Sequence, residues 1–423
     1  MNTSTTAGQP PVPPSPRRHL LALGALTSAA AMVLSGCASE SGDGTSASTT
    51  ITELDYYTDE QGSAAWHEAL STCENQTGVT VERQEVPPDQ MLQQVLQQVG
   101  SNSLPDLIFI DNPQLQQVAE TGALTPLSDY TIDTEGYYDS ITEAGTYEGQ
   151  LYGLAPGVNG LALFYNKTYF QEAGIEPPTT WEELSSAAAE LTTGDRYGLA
   201  FSAIDGEEGT WQFLPFFWSN GAQLDELDSP EAVEALGYVT GLVEEGSVSS
   251  SVLEWNQNDV ADQFVAGHTA MMVNGSWNLA RLQEEQELDY GVVPIPVPEA
   301  GDEPVVALGG EVGAIPATDP ESQEAAAQVL DCLLSPDVLM DWSSSHAYVP
   351  AREELAQTMA EDNEQMAPFV EEVATARSRT SELGSSYPDT SSALIKAVQS
   401  ALVGDQSPAE ALATAQESVA GES

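Results

Sequence analysis

Residues 150–184 read QLYGLAPGVNGLALFYNKTYFQEAGIEPPTTWEEL, and this stretch decides the fold. It begins as a strand-like alternation, breaks at Ala155-Pro156-Gly157-Val158-Asn159-Gly160, resumes as the apolar run 161–165 and turns at Asn166-Lys167. Pro156 fixes its own φ, while Gly157 and Gly160 can adopt dihedrals closed to other residues, so the break has the composition of a hinge. On spacing alone, an ordinary loop between two strands fits equally well.

Working back from this stretch, strand and helix patterns alternate. Residues 51–57 and 79–86 read as strands, and 63–76 reads as a helix closed by Gly78. Residues 90–99 carry Leu92, Val95, Leu96 and Val99 on one helical face. Leu107-Ile108-Phe109-Ile110 is a short continuous apolar run, the pattern of a strand buried on both faces of a parallel sheet. Strand, helix, strand, helix, strand predicts a doubly wound α/β lobe. In such sheets ligands sit off the carboxyl ends of the strands. Those ends carry Thr58 and Asp59 after the first strand, and Asp111 and Asn112 after the third.

Working forward, Thr180-Trp181-Glu182-Glu183 reads as a capping box. Ser229-Pro230, Asp319-Pro320, Ser335-Pro336 and Ser407-Pro408 each pair a capping residue with proline in the first helical turn. Most aromatics of residues 211–218, WQFLPFFW, read as core. Asn274-Gly275 predicts a turn that displays Trp277 at a loop.

The order of these elements resembles the family 1 extracellular solute-binding proteins, the receptors of carbohydrate ABC importers, which include maltose-binding protein. The resemblance rests on Leu151-Tyr152-Gly153-Leu154, Tyr165-Asn166-Lys167, Ala173-Gly174, Pro177-Pro178 and Thr180-Trp181-Glu182-Glu183-Leu184. It extends through the stretch 105–127, PDLIFIDNPQLQQVAETGALTPL, and through 267–279, GHTAMMVNGSWNL. Leu308-Gly309-Gly310-Glu311 and Tyr348-Val349-Pro350-Ala351-Arg352 resemble two further crossovers, and Ala376-Arg377-Ser378-Arg379-Thr380 resembles a family Ala-Arg-Pro-Arg-Thr segment with Ser378 in place of proline.

The resemblance implies two doubly wound α/β lobes joined by a multi-strand hinge, the type II periplasmic-binding-protein-like fold. The N-terminal lobe would be 51–157 plus 310–349, and the C-terminal lobe 158–309 plus 350–423. It implies a sugar or oligosaccharide ligand in the cleft, held by Asp59, Asp111, Asn112, Asn159, Trp277, Gly310, Glu311 and Arg377, with Trp277 stacking on the sugar. A sugar presents an apolar C–H face and a fringe of hydroxyls, so a flat aromatic beside carboxylates and amides suits it. A solvent-facing role for Glu311, and an ion pair of Arg377 or Arg379 with Glu371 or Glu372, are the competing readings. The resemblance further implies ABC permease subunits as partners, a monomer, no cofactor and no metal.

Residues 1–36 read as a lipoprotein signal peptide: Arg17-Arg18, an apolar core over 20–34, then Leu34-Ser35-Gly36-Cys37. Leu-Ser-Gly-Cys resembles the bacterial lipobox, which makes Cys37 the lipidation site and places the protein, lipid-anchored, on the outer face of the cell membrane. Residues 37–50, rich in Ser, Thr and Gly, read as a flexible tether. Cys73 and Cys332 then remain, on helices that the resemblance assigns to the first lobe. A disulfide between them and two buried free thiols are both open.

The chain has 66 acidic and 10 basic residues and a formal net charge of −56, which argues against nucleic acid or an anionic membrane surface as partner. No phosphate-binding Gly-Lys-Ser/Thr loop and no Gly-x-Ser-x-Gly elbow occurs, and His67, His268 and His346 lack metal-ligand spacing. The chain is expected not to be an enzyme. The alternative, an exported lipoprotein enzyme degrading polysaccharide, is supported only by the export signal, the aromatics and the acids.

Overall fold

The computed structural model describes residues 49–421. Residues 1–36, expected to be a signal peptide, Cys37 and nearly all of the stretch 37–50 expected to be a tether lie outside the described residues. The first lobe opens with β1 (Thr50–Asp55), β2 (Thr80–Glu85), β3 (Leu107–Asp111) and β4 (Leu124–Thr125). A small hairpin, β5 (Thr146–Tyr147) and β6 (Gln150–Leu151), precedes β7 (Gly153–Leu154) and β8 (Gly157–Val158). The second lobe holds β9 (Leu161–Asn166), β10 (Tyr197–Ala200), β11 (Thr269–Gly275) and β12 (Tyr290–Val293). The chain then returns through β13 (Glu311–Pro316) and β14 (Val349–Pro350).

The first sheet has the order β2-β1-β3-β13-β4, with β7 also pairing β13. β1 runs parallel to β2 and β3, and β13 runs antiparallel to β3. The helix Glu60–Thr77 is set by its ends. Asp59 caps the start by accepting from the Gly62 N–H, and Gly78 closes it at φ 75°, a conformation only glycine adopts freely. It buries Ala65, Trp66, Ala69, Leu70 and Cys73. Cys73 and Cys332 form a disulfide, Cα to Cα 5.7 Å, tying this helix to Pro320–Leu333.

The second sheet has the order β10-β11-β9-β12. The capping box at Thr180 and Glu183 is made in both directions. Prolines 230, 320, 336 and 408 each open a helix, and Ser229, Asp319 and Ser407 cap theirs. Ser335 does not cap; its hydroxyl donates to the Cys332 carbonyl at 2.6 Å. The stretch 211–218 lies within the helix Glu207–Ser219 and is buried throughout. Asn274-Gly275 is not a turn: both residues finish β11, paired with Ala162 and Leu161, and the chain bends only after them.

Between the lobes, β8 pairs β14, Asn159 bridges Gly309, and Ala307 bridges Arg377. The crossing segments therefore hydrogen-bond to one another as well as joining the two sheets. Glycine serves here differently from its usual reading as a swivel. Gly157 has no positive φ; a Cβ there would lie 2.6 Å from the Trp342 ring, so the small residue permits close approach. Gly310 does need glycine's freedom, at φ 106° and packed on Gly157 and Val158.

Candidate functional site

The crossing segments bring the ends of both sheets together, and three groups of side chains meet there. The first is a buried carboxyl in a ring of phenols. Register places Glu311, first residue of β13, directly across from Asp111, last residue of β3. Glu311 is 2% exposed, so the solvent-facing reading does not hold. Tyr57 donates to it at 2.7 Å and Tyr348 at 3.4 Å, and Tyr56 donates to the oxygen that Tyr348 also reaches. Burial pushes the Glu311 carboxyl up to about 7, against the tyrosine hydrogen bonds that pull it down. The same burial, with Glu311 beside them, holds the Tyr57 and Tyr348 hydroxyls well above the usual phenol range.

The second group is ionic. Asp111 of the first lobe accepts two N–H bonds from Arg379, a fork-on-carboxylate pair. The same guanidinium reaches Glu207, at the start of the helix Glu207–Ser219 in the second lobe, at 2.6 Å. Tyr387, at 2.7 Å, and Ser391 also donate to Glu207. Burial raises the Glu207 carboxyl even with Arg379 alongside. Burial works against the Arg379 charge, but Asp111 and Glu207 outweigh it and hold the guanidinium above its usual range.

The third group is aromatic. Trp277 follows the end of β11 and lies half-buried, its ring stacked on Trp211 with centroids 5.8 Å apart and planes 22° from parallel. The stack dictates two glycines. A Cβ on Gly275 would lie 1.8 Å from the Trp277 ring, and one on Gly309 would lie 2.6 Å from Trp211 and 2.0 Å from the Asn159 amide oxygen. Trp211 donates its indole N–H to the Ala307 carbonyl at 3.1 Å, which fixes the ring against the crossover. Arg379 lies 5.7 Å from the Trp211 ring centroid and so links the aromatic and ionic groups.

Of the residues singled out from the sequence, Asp111, Asn159, Trp277, Gly310 and Glu311 all lie on this junction. Asn112 lies there too but serves the backbone: its amide nitrogen donates to the Leu308 and Gly310 carbonyls at 3.2 and 2.9 Å. Asp59 is exposed, with its carboxylate committed to capping its helix. Arg377 turns away. It pairs with Glu382 at 2.7 Å, donates to Gln223 and lies over Trp218. Neither Arg377 nor Arg379 pairs with Glu371 or Glu372; the partners are Glu382, Asp111 and Glu207.

Sequence reasoning chose Arg377 over Arg379 in the segment that carries both, and missed Glu207, Trp211, Tyr56, Tyr57 and Tyr348. The chain turns at Arg379 and Thr380, which aims the second arginine of the segment, not the first, at Asp111. Tyr56 and Tyr57 follow β1 at its carboxyl end, a position that marks them as candidates by the same rule that marked Asp59. Among the described residues no group of three or more His, Cys, Asp or Glu side chains is placed to hold a metal ion. No described helix is long and apolar enough to cross a membrane.

The sequence model for the family described as bacterial extracellular solute-binding protein matches residues 68–368. A binding protein of Brucella abortus is 26% identical over 292 residues, covering 66% of this chain and 70% of the relative. The sn-glycerol-3-phosphate-binding periplasmic protein of Escherichia coli is 26% identical over 278 residues, covering 56% of this chain and 61% of its own. Among solved structures, an ABC transporter solute-binding protein of Thermotoga lettingae bound to alpha-D-tagatose superimposes with a TM-score of 0.79. It is 26% identical and covers 88% of this chain and 99% of its own. The maltose-bound MalE3 of T. maritima shares the fold at a TM-score of 0.80 and 21% identity, covering 89% and 100%.

Proposed function

The chain belongs to the bacterial extracellular solute-binding proteins, and from that premise we propose that it captures a sugar or oligosaccharide between its lobes and delivers it to the permease of an ABC importer. It is a substrate receptor of a class that works in the periplasm or outside the cell, and its relatives are binding proteins rather than enzymes. The lobes would divide at 157, 309 and 349, with the crossing segments bending as the cleft closes. Cys37 would carry the lipid that holds a monomeric receptor at the outer face of the membrane, next to its permease. Each buried acyl CH₂ contributes about 0.8 kcal/mol, so two or three chains anchor durably.

The observation that carries this reading is the junction itself: a tryptophan pair beside carboxyl groups drawn from both lobes, Asp111 on a strand of the first and Glu207 at a helix start in the second. Trp277 supplies an apolar plate for the C–H face of a sugar ring, and Asp111, Glu207 and Glu311 supply acceptors for its hydroxyls. Asn159 and Gly310 line the crossover beneath, with the buried Asn112 and the exposed Asp59 flanking it. A thermal-shift screen against mono- and oligosaccharides tests the reading. A ligand at about 100 times its dissociation constant stabilises the fold by roughly 2.7 kcal/mol. Stabilisation by a carbohydrate, with no product formed on long incubation, is the expected result. Turnover of a polysaccharide, or no response to any carbohydrate, contradicts it.

A further inference from the structure

The Arg379 side chain is 2% exposed and lies between two carboxylates from different lobes, Asp111 and Glu207. Two of its nitrogens are spent on those acids, while Nε is buried with no hydrogen-bond partner. A buried, unmatched donor is costly unless something accepts from it. Among the described residues no second cation pairs with Asp111 or Glu207. Arg377 is turned to Glu382, and Arg352, Arg281 and Lys167 pair with Asp133, Asp262 and Asp289 elsewhere. The N-terminus of the helix Glu207–Ser219 is where an anion would ordinarily dock, but its first turn carries Glu207 and Glu208.

We propose that Asp111, Arg379 and Glu207 form a charge filter that admits uncharged polyhydroxy ligands and rejects anionic ones, phosphate esters and carboxylates. The proposal rests on the reading of this junction as the ligand cleft and specifies its ligand class. A phosphate reaching Arg379 must displace Asp111 or Glu207, leaving a carboxylate unpaired in a site of low polarity, or crowd three anionic groups around one guanidinium. Either is unfavourable. A hydroxyl meets no such conflict. Its oxygen accepts the free Nε–H, and its hydrogen goes to a carboxylate lone pair that Arg379 leaves open. The relatives do not settle this choice, since one is named for sn-glycerol 3-phosphate and another holds tagatose.

The test titrates glycerol 3-phosphate, inorganic phosphate and a panel of neutral sugars into the mature protein at matched ionic strength, by calorimetry and thermal shift. Glu207→Gln and Asp111→Asn are run alongside; each removes one of the competing acids, one in each lobe, so that misfolding of one variant leaves the other to decide. The wild type is expected to show no saturable binding of either phosphate compound at millimolar concentration. Each folded variant is expected to gain affinity for glycerol 3-phosphate by about tenfold or more, with the gain shrinking as salt rises. Saturable binding of glycerol 3-phosphate by the wild type overturns the filter, as does a folded variant that gains none. Should neutral sugars also fail to bind the wild type, the receptor reading for carbohydrate falls, while the phosphate affinity gained by the variants still decides the filter.

Discussion

Arg83 and Arg379 are each held between carboxylates, and their surroundings differ in a way that separates scaffold from site. Arg83 joins β1 to β2. It gives Nε and one terminal nitrogen to Asp55 at 2.6 and 2.8 Å, that terminal nitrogen also reaches the Tyr57 carbonyl, and the other takes both oxygens of Ser63. Glu85 completes the set at 3.1 Å. Every nitrogen is matched, within one lobe and within a short stretch of sequence. Burial and then the Asp55 charge hold the nearby Glu53 carboxyl well above its usual range. Arg379 instead reaches across 268 residues to Asp111 and keeps one nitrogen unmatched. A fully matched network fixes a shape, whereas an incomplete one, spanning two lobes, keeps a donor that the fold itself does not satisfy.

The contrast is sharpened first where stability alone should respond. Replacing both Cys73 and Cys332 with serine opens a loop of 259 residues. By the chain-entropy model this costs about 5 kcal/mol, read as a lower denaturation midpoint with ligand affinity unchanged. Thiol titration of the denatured, unreduced protein should find neither cysteine free; two reactive thiols per chain would remove the staple from the account. Next, Arg83→Ala strips Asp55 of its partner in the core. Breaking a buried pair costs about 3–5 kcal/mol, so the melting temperature should fall sharply with little change in affinity per folded molecule. A loss of affinity at constant stability would erase the distinction between the two arginines.

A third experiment uses pH. Below about pH 4.5 the Glu311 carboxyl is neutral in both the folded and the unfolded chain, and from there to about 7 only the unfolded chain ionises. Stability contributed by the protonated group is therefore lost as pH rises through that window, by about 3 kcal/mol in full. Glu311→Gln stays neutral throughout. Relative to wild type the variant should gain stability between pH 4.5 and 7.5 in urea titrations, and a constant difference across that range would mean that Glu311 is ionised in its tyrosine ring.

Much of the fold was legible because the signals were local. Asp59 and Gly78 bound one helix, Thr180 and Glu183 close a capping box, and the apolar run before Asp111 is a buried central strand. The junction was legible only where a family motif pointed to it. Glu207 lies 172 residues from Arg379, and Tyr56 lies 255 from Glu311, so topology rather than spacing brings them together. Asn274-Gly275 misled for a related reason. Gly275 reads as a turn residue, yet it is small because the Trp277 ring folds back onto it, a contact no local pattern reveals. The aromatic run 211–218 is core, as its composition says, except that the ring of Trp211 also faces Trp277.

If the tryptophan pair at the lobe junction is the platform for a sugar, Trp277→Ala abolishes that platform. The change removes the outer ring of the stack and leaves Trp211 held by Ala307. Calorimetry with the best carbohydrate from the screen, beside a melting curve, separates the outcomes. Stacking of this kind is worth about 1–3 kcal/mol, so affinity should fall by about fivefold to over a hundredfold while the melting temperature moves little. Unchanged affinity with a melting temperature many degrees lower would make Trp277 a core residue and place the cleft elsewhere.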